Sequence, residues 1–494
     1  MKKNNFDFNK PRRESPLAIV FILGKTIYNI ITRIWPALIV IFFKENNEKK
    51  PDYLFWSVVL VAVIAMIMSV INYFKTYFYL RDNELHLHKG VLQKVKTNIP
   101  FQRIQTVQFE QSILHAIFGV VKIKLDTAGS EKAEIDFFAI EKSEAEALKN
   151  IILQHRDETL SIISKNESTP VFEENVILHL GISELIKVGF TRNHLKSGGL
   201  ILVFIAWLYE NVKELGVDAN EYYDEVVASE RDLTFYLSLS FLFLMVSVLI
   251  SLVRSVLIFF DLKLIRVSQG FRLIAGFFTR KETSAFDHKI QKIGWSDNMM
   301  KRTLGFFDVR LHQASSHVMA NREKILVPGM NQKKIDELIS VIFGVQSGDK
   351  KQSRPVHKSY FLRFFTIWVI PFSLVASALV WAGSYEFAVL IVSFFLLTVW
   401  MRLLSFRKTR YQLHDGHLTI WGGAFGEKNV IFPLFKLQGI KWKQNPFQKK
   451  KNLVTLEFFL ASGSVTLPYI TFHEGKQIID LSLYTIESSS GKWM

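Results

Sequence analysis

The sequence predicts a membrane protein of α-helical hairpins, six spans in three pairs, alternating with three cytoplasmic domains. Each domain is expected to be a curved antiparallel β-sheet capped by a C-terminal helix. Three observations carry this reading: apolar blocks that come in pairs, Lys and Arg gathered beside those blocks, and a gapless internal repeat.

The chain has 494 residues, too many for one ordinary domain. Hydrophobic residues make up 49%, 43 residues are Phe, and mean hydropathy is +0.18. Net charge is +16. Nucleic-acid binding and attraction to anionic lipid compete to explain it, and the long apolar blocks beside the charges favour lipid, with no nucleic acid expected as partner. The absence of Cys excludes disulfides, thiolate metal sites and Cys nucleophiles. Met1–Arg13 is polar and basic, with no cleavable signal expected.

A helix needs about 20 apolar residues to cross a bilayer. The blocks are Leu17–Phe43, Tyr53–Phe74, the short Gly198–Tyr209, Leu233–Phe260, Tyr360–Ala382 and Phe387–Leu404. Lys2, Lys3, Lys10, Arg12 and Arg13 precede the first pair, Lys187, Arg192 and Lys196 the second, and Lys350, Lys351, Arg354 and Lys358 the third. The second hairpin loop, Glu210–Asp232, holds eight acidic residues against Lys213 and Arg231, and the third has no basic residue. The first dissents with Lys44, Lys49 and Lys50. The positive-inside bias therefore places both termini and the long polar segments in the cytoplasm, with the chain in the cell inner membrane. The expected division is hairpins at 1–75, 166–262 and 348–405, and β-rich domains at 76–165, 263–347 and 406–494.

The repeat appears when Gly90 is laid on Gly276 and Gly423, offsets of 186 and 333 residues. Arg103, Lys289 and Lys436 then coincide, followed by Ile104, Ile290 and Leu437 and by Gln105, Gln291 and Gln438. Phe109, Trp295 and Trp442 are all aromatic, and Ile123, Val309 and Leu456 open a strand-like alternation. The local period is two: Leu85, Leu87 and Val91 alternate around Lys89–Gly90, and Ile104, Val107 and Phe109 do so further on. A strand is expected at Glu134–Ile140. Ser143 with Glu146, and Thr471 with Glu474, have capping-box spacing ahead of closing helices, and a third such helix is expected at Lys333–Phe343.

These residues resemble the bacterial pleckstrin-homology (PH)-like "membrane-flanked domain" family, in its large form with three domains, each preceded by a transmembrane pair. The resemblance rests on Gly90, Ile99-Pro100, Arg103-Ile104, Val107, Gln111-Ser112, Leu114, Phe118-Gly119 and Thr127-Ala128-Gly129. It covers nearly the whole chain. The second copy departs from it with Ala285-Phe286 in place of Ile99-Pro100, and the third with Asn452 where the others have Gly119 and Gly305. The resemblance implies a PH-like fold, an integral membrane location, no catalytic activity and partnership with a smaller, single-domain relative.

His86/His88 and His414/His417 are the closest histidine pairs; the first shares a strand face, where a weak metal site competes with the plainer reading of exposed strand histidines. Serine-nucleophile motifs, phosphate-cradling glycine loops and paired carboxylates are absent, and no cofactor is expected. Coupled transport usually needs acidic groups inside the bilayer. The charges within the spans are instead Lys25, Arg33, Arg254, Arg363 and Arg402, mostly placed to snorkel. Three basic clusters remain as candidate headgroup contacts: Lys89, Lys94, Lys96 and Arg103; Lys263, Arg266, Arg272, Arg280, Lys281, Lys289 and Lys292; and Lys449, Lys450 and Lys451. Against this stands the reading that they only set topology and solubility. The expected function is a non-enzymatic scaffold contacting the bilayer and a smaller PH-like protein or a second copy of itself. A transporter or lipid-handling device is the alternative.

Overall fold

The computed structural model describes residues 6–43, 52–91, 93–127, 135–161, 175–192, 199, 233–267, 270–313 and 324–488. Two apolar helices, α1 (Ala18–Phe43) and α2 (Asp52–Lys75), open it. They touch where Thr26 and Ser69 share a hydroxyl hydrogen bond of 3.0 Å. The first domain then runs β1 (Tyr77–Arg81), β2 (Glu84–Lys89), β3 (Val95–Pro100), β4 (Ile104–Ser112), α3 (Ile113–Ile117), β5 (Val120–Thr127), β6 (Ile135–Glu141) and α4 (Lys142–Ser161).

The second begins with β7 (Asn175–His179), α5 (Ile182–Phe190) and α6 (Leu233–Phe259). It continues through β8 (Lys263–Val267), β9 (Gly270–Ala275), β10 (Thr279–Phe286), β11 (Ile290–Ser296), α7 (Met299–Thr303), β12 (Phe307–Gln313), β13 (Lys324–Met330) and α8 (Gln332–Phe343). The third has β14 (Arg354–Pro355), α9 (Ser359–Trp381) and α10 (Tyr385–Lys408), then β15 (Arg410–His414), β16 (His417–Gly422), β17 (Lys428–Pro433) and β18 (Leu437–Lys443). It closes with α11 (Pro446–Lys450), β19 (Leu453–Leu460), β20 (Gly463–Thr471) and α12 (Phe472–Ser488).

The expectation of six spans is not reached. Among the described residues, three helical segments are long and apolar enough to cross a membrane: Ser240–Phe259, Ser359–Trp381 and Tyr385–Lys408. The apolar stretches described within α1 and α2, Ala18–Ile30 and Val59–Lys75, are shorter than a crossing. Gly198–Tyr209 apart from residue 199, the acidic loop Glu210–Asp232, Lys2, Lys3, Lys44, Lys49, Lys50 and Ala128-Gly129 lie outside the described residues. The helices that do qualify carry their apolar side chains outward, Trp381 being 92% exposed, so their solvent is lipid.

Every sheet is antiparallel, and the sheets do not respect the domain boundaries. β1-β2-β3 and β18-β19-β20 are three-stranded, whereas the two central sheets have seven strands, in the orders β6-β5-β4-β10-β9-β8-β7 and β13-β12-β11-β17-β16-β15-β14. The second half of one domain therefore pairs with the first half of the next. Junction pairs include Ser112 opposite Thr279 and Phe109 opposite Glu282, then Trp295 opposite Asn429 and Ile293 opposite Ile431. Under the repeat, Glu282 and Asn429 both correspond to Lys96, so the two junctions share one register.

The second and third domains also take their outermost strand from before the apolar helices, and the first makes a single bridge there. β7 pairs with β8, β14 with β15, and Arg12 bridges to Phe78. The apolar helices are thus an insertion in the domain. Glu14 secures the first such segment, its Oε2 accepting from Phe138 N at 2.7 Å and Ala139 N at 3.1 Å.

Each domain has an apolar core among the described residues. Phe78, Leu85, Ile104, Ile123 and Phe137 pack under α4; Leu264, Phe271, Ile293, Val309 and Val327 under α8; Leu418, Phe432, Leu456 and Phe458 under α12. Thr471 and Glu474 form the expected reciprocal cap, with Glu474 N on Thr471 Oγ1 at 3.3 Å and Thr471 N on Glu474 Oε2 at 3.3 Å. The box expected at Ser143 does not form. α4 starts at Lys142, so Ser143 already lies in the first turn, where its hydroxyl donates to Glu141 instead. Asn452, the departure in the third copy, has φ +50°, beside +67° at Gly119 and +71° at Gly305. It keeps the left-handed turn, which Asn tolerates better than most residues.

Candidate lipid headgroup site

A short helix follows the fourth strand of every domain, and its N-caps coincide under the repeat: Ser112, Asn298 and Asn445. Each side-chain oxygen accepts from the backbone N–H three residues on, at 3.4, 2.8 and 2.8 Å. Each short helix contacts a helix, or the residue just beyond one, that precedes β1, β8 or β15 of its own domain. His115 stacks on Phe21 of α1 at 3.9 Å, Asn298 Nδ2 donates to the Thr191 carbonyl just beyond α5 at 2.7 Å, and Lys451 Nζ reaches Ser359 Oγ of α9 at 3.3 Å. Their outward faces are apolar: Ile113, Leu114 and Ile117 in α3, Met299 and Met300 in α7, Phe447 in α11. In the third domain, where α9 is long and apolar enough to cross a membrane, Phe447 held beside it fits the headgroup boundary.

The third domain adds charge to that arrangement. A groove of about 310 Å³ runs between α9 and α11, lined by Leu362, Arg363, Thr366, Phe447, Lys450 and Lys451 among others. The Arg363 guanidinium lies 3.6 Å from the Phe447 ring centroid. Burial, then the charges of Lys451 and Lys358, hold the nearby His357 imidazole below its ordinary pKa. The groove joins apolar wall, hydroxyls and cations at the end of a membrane helix, the combination that accommodates an anionic headgroup with its acyl chain.

The model of the bacterial PH domain matches residues 18–156, 214–344 and 365–485. The chain belongs to the bacterial PH domain family. It is similar to the UPF0699 transmembrane protein YdbT of Bacillus subtilis (strain 168), 22% identical over 487 residues that cover 92% of this chain and 94% of that one. The UPF0699 transmembrane protein YdbS of the same organism is 30% identical over 71 residues, 14% of this chain and 45% of YdbS. No solved structure matches. The chain is thus a membrane protein with three bacterial PH domains.

The PH domains place the candidate residues in three settings. Lys449, Lys450 and Lys451 are exposed, and the last two line the groove with Arg363 and Phe447, which sequence reasoning did not assign to it. Lys89, Lys94, Lys96 and Arg103 are exposed around the β2–β3 hairpin and the turn after β3.

The second cluster is largely consumed by ion pairs, most of them inside the second PH domain and one across its junction with the first. Lys281 pairs with Glu110 of β4 at 3.4 Å, Lys149 of α4 pairs with Glu282, and Arg280 faces Asp261 at 3.7 Å. Arg266 is bidentate to Asp287, both contacts 2.7 Å. Lys289, expected at the headgroups, is only 5% exposed. That burial is a tertiary property that no periodicity reveals.

His86 and His88 do share a face, where they stack on Tyr79 and Tyr77 at 4.8 and 4.9 Å. The signal that could have located the short helices was present: three aligned cap residues, each ahead of apolar side chains.

Proposed function

We propose that this chain is a non-enzymatic scaffold of the cell inner membrane. Both termini and all three PH domains lie at the cytoplasmic face, and the unit docks on anionic headgroups through the α9–α11 groove. Its protein partner is a smaller single-domain PH-like membrane protein or a second copy. The observation that supports the scaffold reading most is strand sharing. PH domains joined by backbone ladders in one register hold fixed spacing, as suits a platform rather than independently moving modules.

The headgroup reading is tested by native mass spectrometry of the full chain released from nanodiscs of mixed anionic and zwitterionic lipid. Each basic side chain near an anionic surface is worth about 1 kcal/mol. Lys450→Gln with Lys451→Gln should therefore lower the retained anionic-to-zwitterionic ratio by roughly thirtyfold. If the double variant retains lipid in the wild-type ratio, the groove is not the docking site.

A further inference from the structure

We infer that the chain assembles head to tail with a second copy of itself, β18 of one chain adding to β3 of the next. This deepens the scaffold reading and rests on it for the fixed array. Both internal junctions follow one rule: the fourth strand of a PH domain pairs with the third strand of the following one. Among the described residues, β3 and β18 are the two strands that lack the neighbour their counterparts have. Their exposure agrees. β11 is buried at most positions, while in its counterpart β18 only Leu437 is buried; β17 is mostly buried, while in β3 only Ile99 is. An unpaired edge is a template for another strand, and a molecule whose first PH domain offers one half of a junction and whose third offers the other is complementary to its own copy.

The side chains agree with the same register. Continued to β18 and β3, it sets Trp442 opposite Lys96, Lys441 opposite Thr97 and Lys443 opposite Val95. Directly opposed residues share a face. Lys96 then lies on one face with Trp442, and Lys441 and Lys443 on the other, so no lysine of one strand meets a lysine of its partner. A slip by one residue would oppose them. The register also sets Lys94 opposite Gln444, as Arg280 stands opposite Gln111 in the first junction.

The turn after the third strand supplies an independent sign. Lys436 Nζ reaches back into the preceding PH domain and donates to the His288 carbonyl at 2.9 Å and the Ile290 carbonyl at 2.6 Å. Arg103 holds the equivalent position in the first PH domain and is exposed. In the assembly it meets the carbonyls of Phe435 and Leu437 of the copy before it.

The test uses full-length chains, in which an introduced thiol is unique because the protein has no Cys. Thr97→Cys and Lys441→Cys variants, differently tagged, are co-expressed and oxidised in isolated membranes. A covalent dimer bearing both tags is expected, in at least tenfold greater yield than from Lys96→Cys with Lys441→Cys, whose thiols face opposite ways. Wild-type chain extracted in lipid-polymer particles should show at least twice its 57.2 kDa mass by mass photometry. Equal yield from both thiol pairs, a wild-type particle of single-chain mass, or an adduct to a smaller protein in place of the second chain would overturn self-assembly. Failure of the lipid test above leaves this readout untouched, and the reverse holds too.

Discussion

Lys436 shows how one buried cation ties two PH domains together. Its ammonium is held by two carbonyls of the preceding domain, and burial pushes its pKa down to about 8 against the opposing charge of Asp287, with Lys289 adding to the depression. The unfolded chain titrates this group near 10.5. Between these values the unfolded state binds more protons, so the linkage makes the fold more stable as pH rises through that window. Lys436→Met removes the contribution. The wild-type minus variant unfolding free energy, measured in detergent from pH 7.5 to 10.5, should rise with pH by at most about 1.4 kcal/mol per unit. A flat difference would mean the ammonium is not buried there. The recurrence of Arg103, Lys289 and Lys436 is plain in the sequence, but their different fates are not. Whether such a cation is exposed or only 4–5% exposed depends on the neighbouring PH domain covering it.

Among the elements, the strands and closing helices were legible because alternation and cap spacing are local. The α8 helix expected at Lys333–Phe343 is observed at Gln332–Phe343, and the strand expected at Glu134–Ile140 at Ile135–Glu141. The short helices α3, α7 and α11 escaped notice because five residues carry too little period to register. The glycine used to align the repeat has its own reason. Gly90, Gly276 and Gly423 have φ of +108°, +119° and +107°, and a Cβ on Gly276 would stand 2.1 Å from the Thr279 carbonyl oxygen. Gly276→Ala should therefore cost about 2 kcal/mol or more, read as a lower unfolding midpoint of the full chain. An unchanged midpoint would show that the β9–β10 turn relaxes freely.

At the scale of the whole molecule, orientation is open to direct measurement. Ser384→Cys, in the turn between α9 and α10, should react with an impermeant maleimide in intact cells, whereas Lys449→Cys should react only after permeabilisation. Labelling of both from outside would reject the cytoplasmic placement of the third PH domain. Apolar blocks, their flanking charge and a threefold repeat were readable because composition and period are properties of the chain itself. By those means the sequence alone determined a membrane protein with three like domains, several of their alternating strands and the closing helices. Only the tertiary structure decided that the sheets run across domain boundaries, that β7 and β14 join their sheets from before the apolar helices, and that much of the second basic cluster is spent in ion pairs within the protein. Edge pairing and burial arise from strands far apart in sequence, held in a register that backbone hydrogen bonds set without leaving a local pattern.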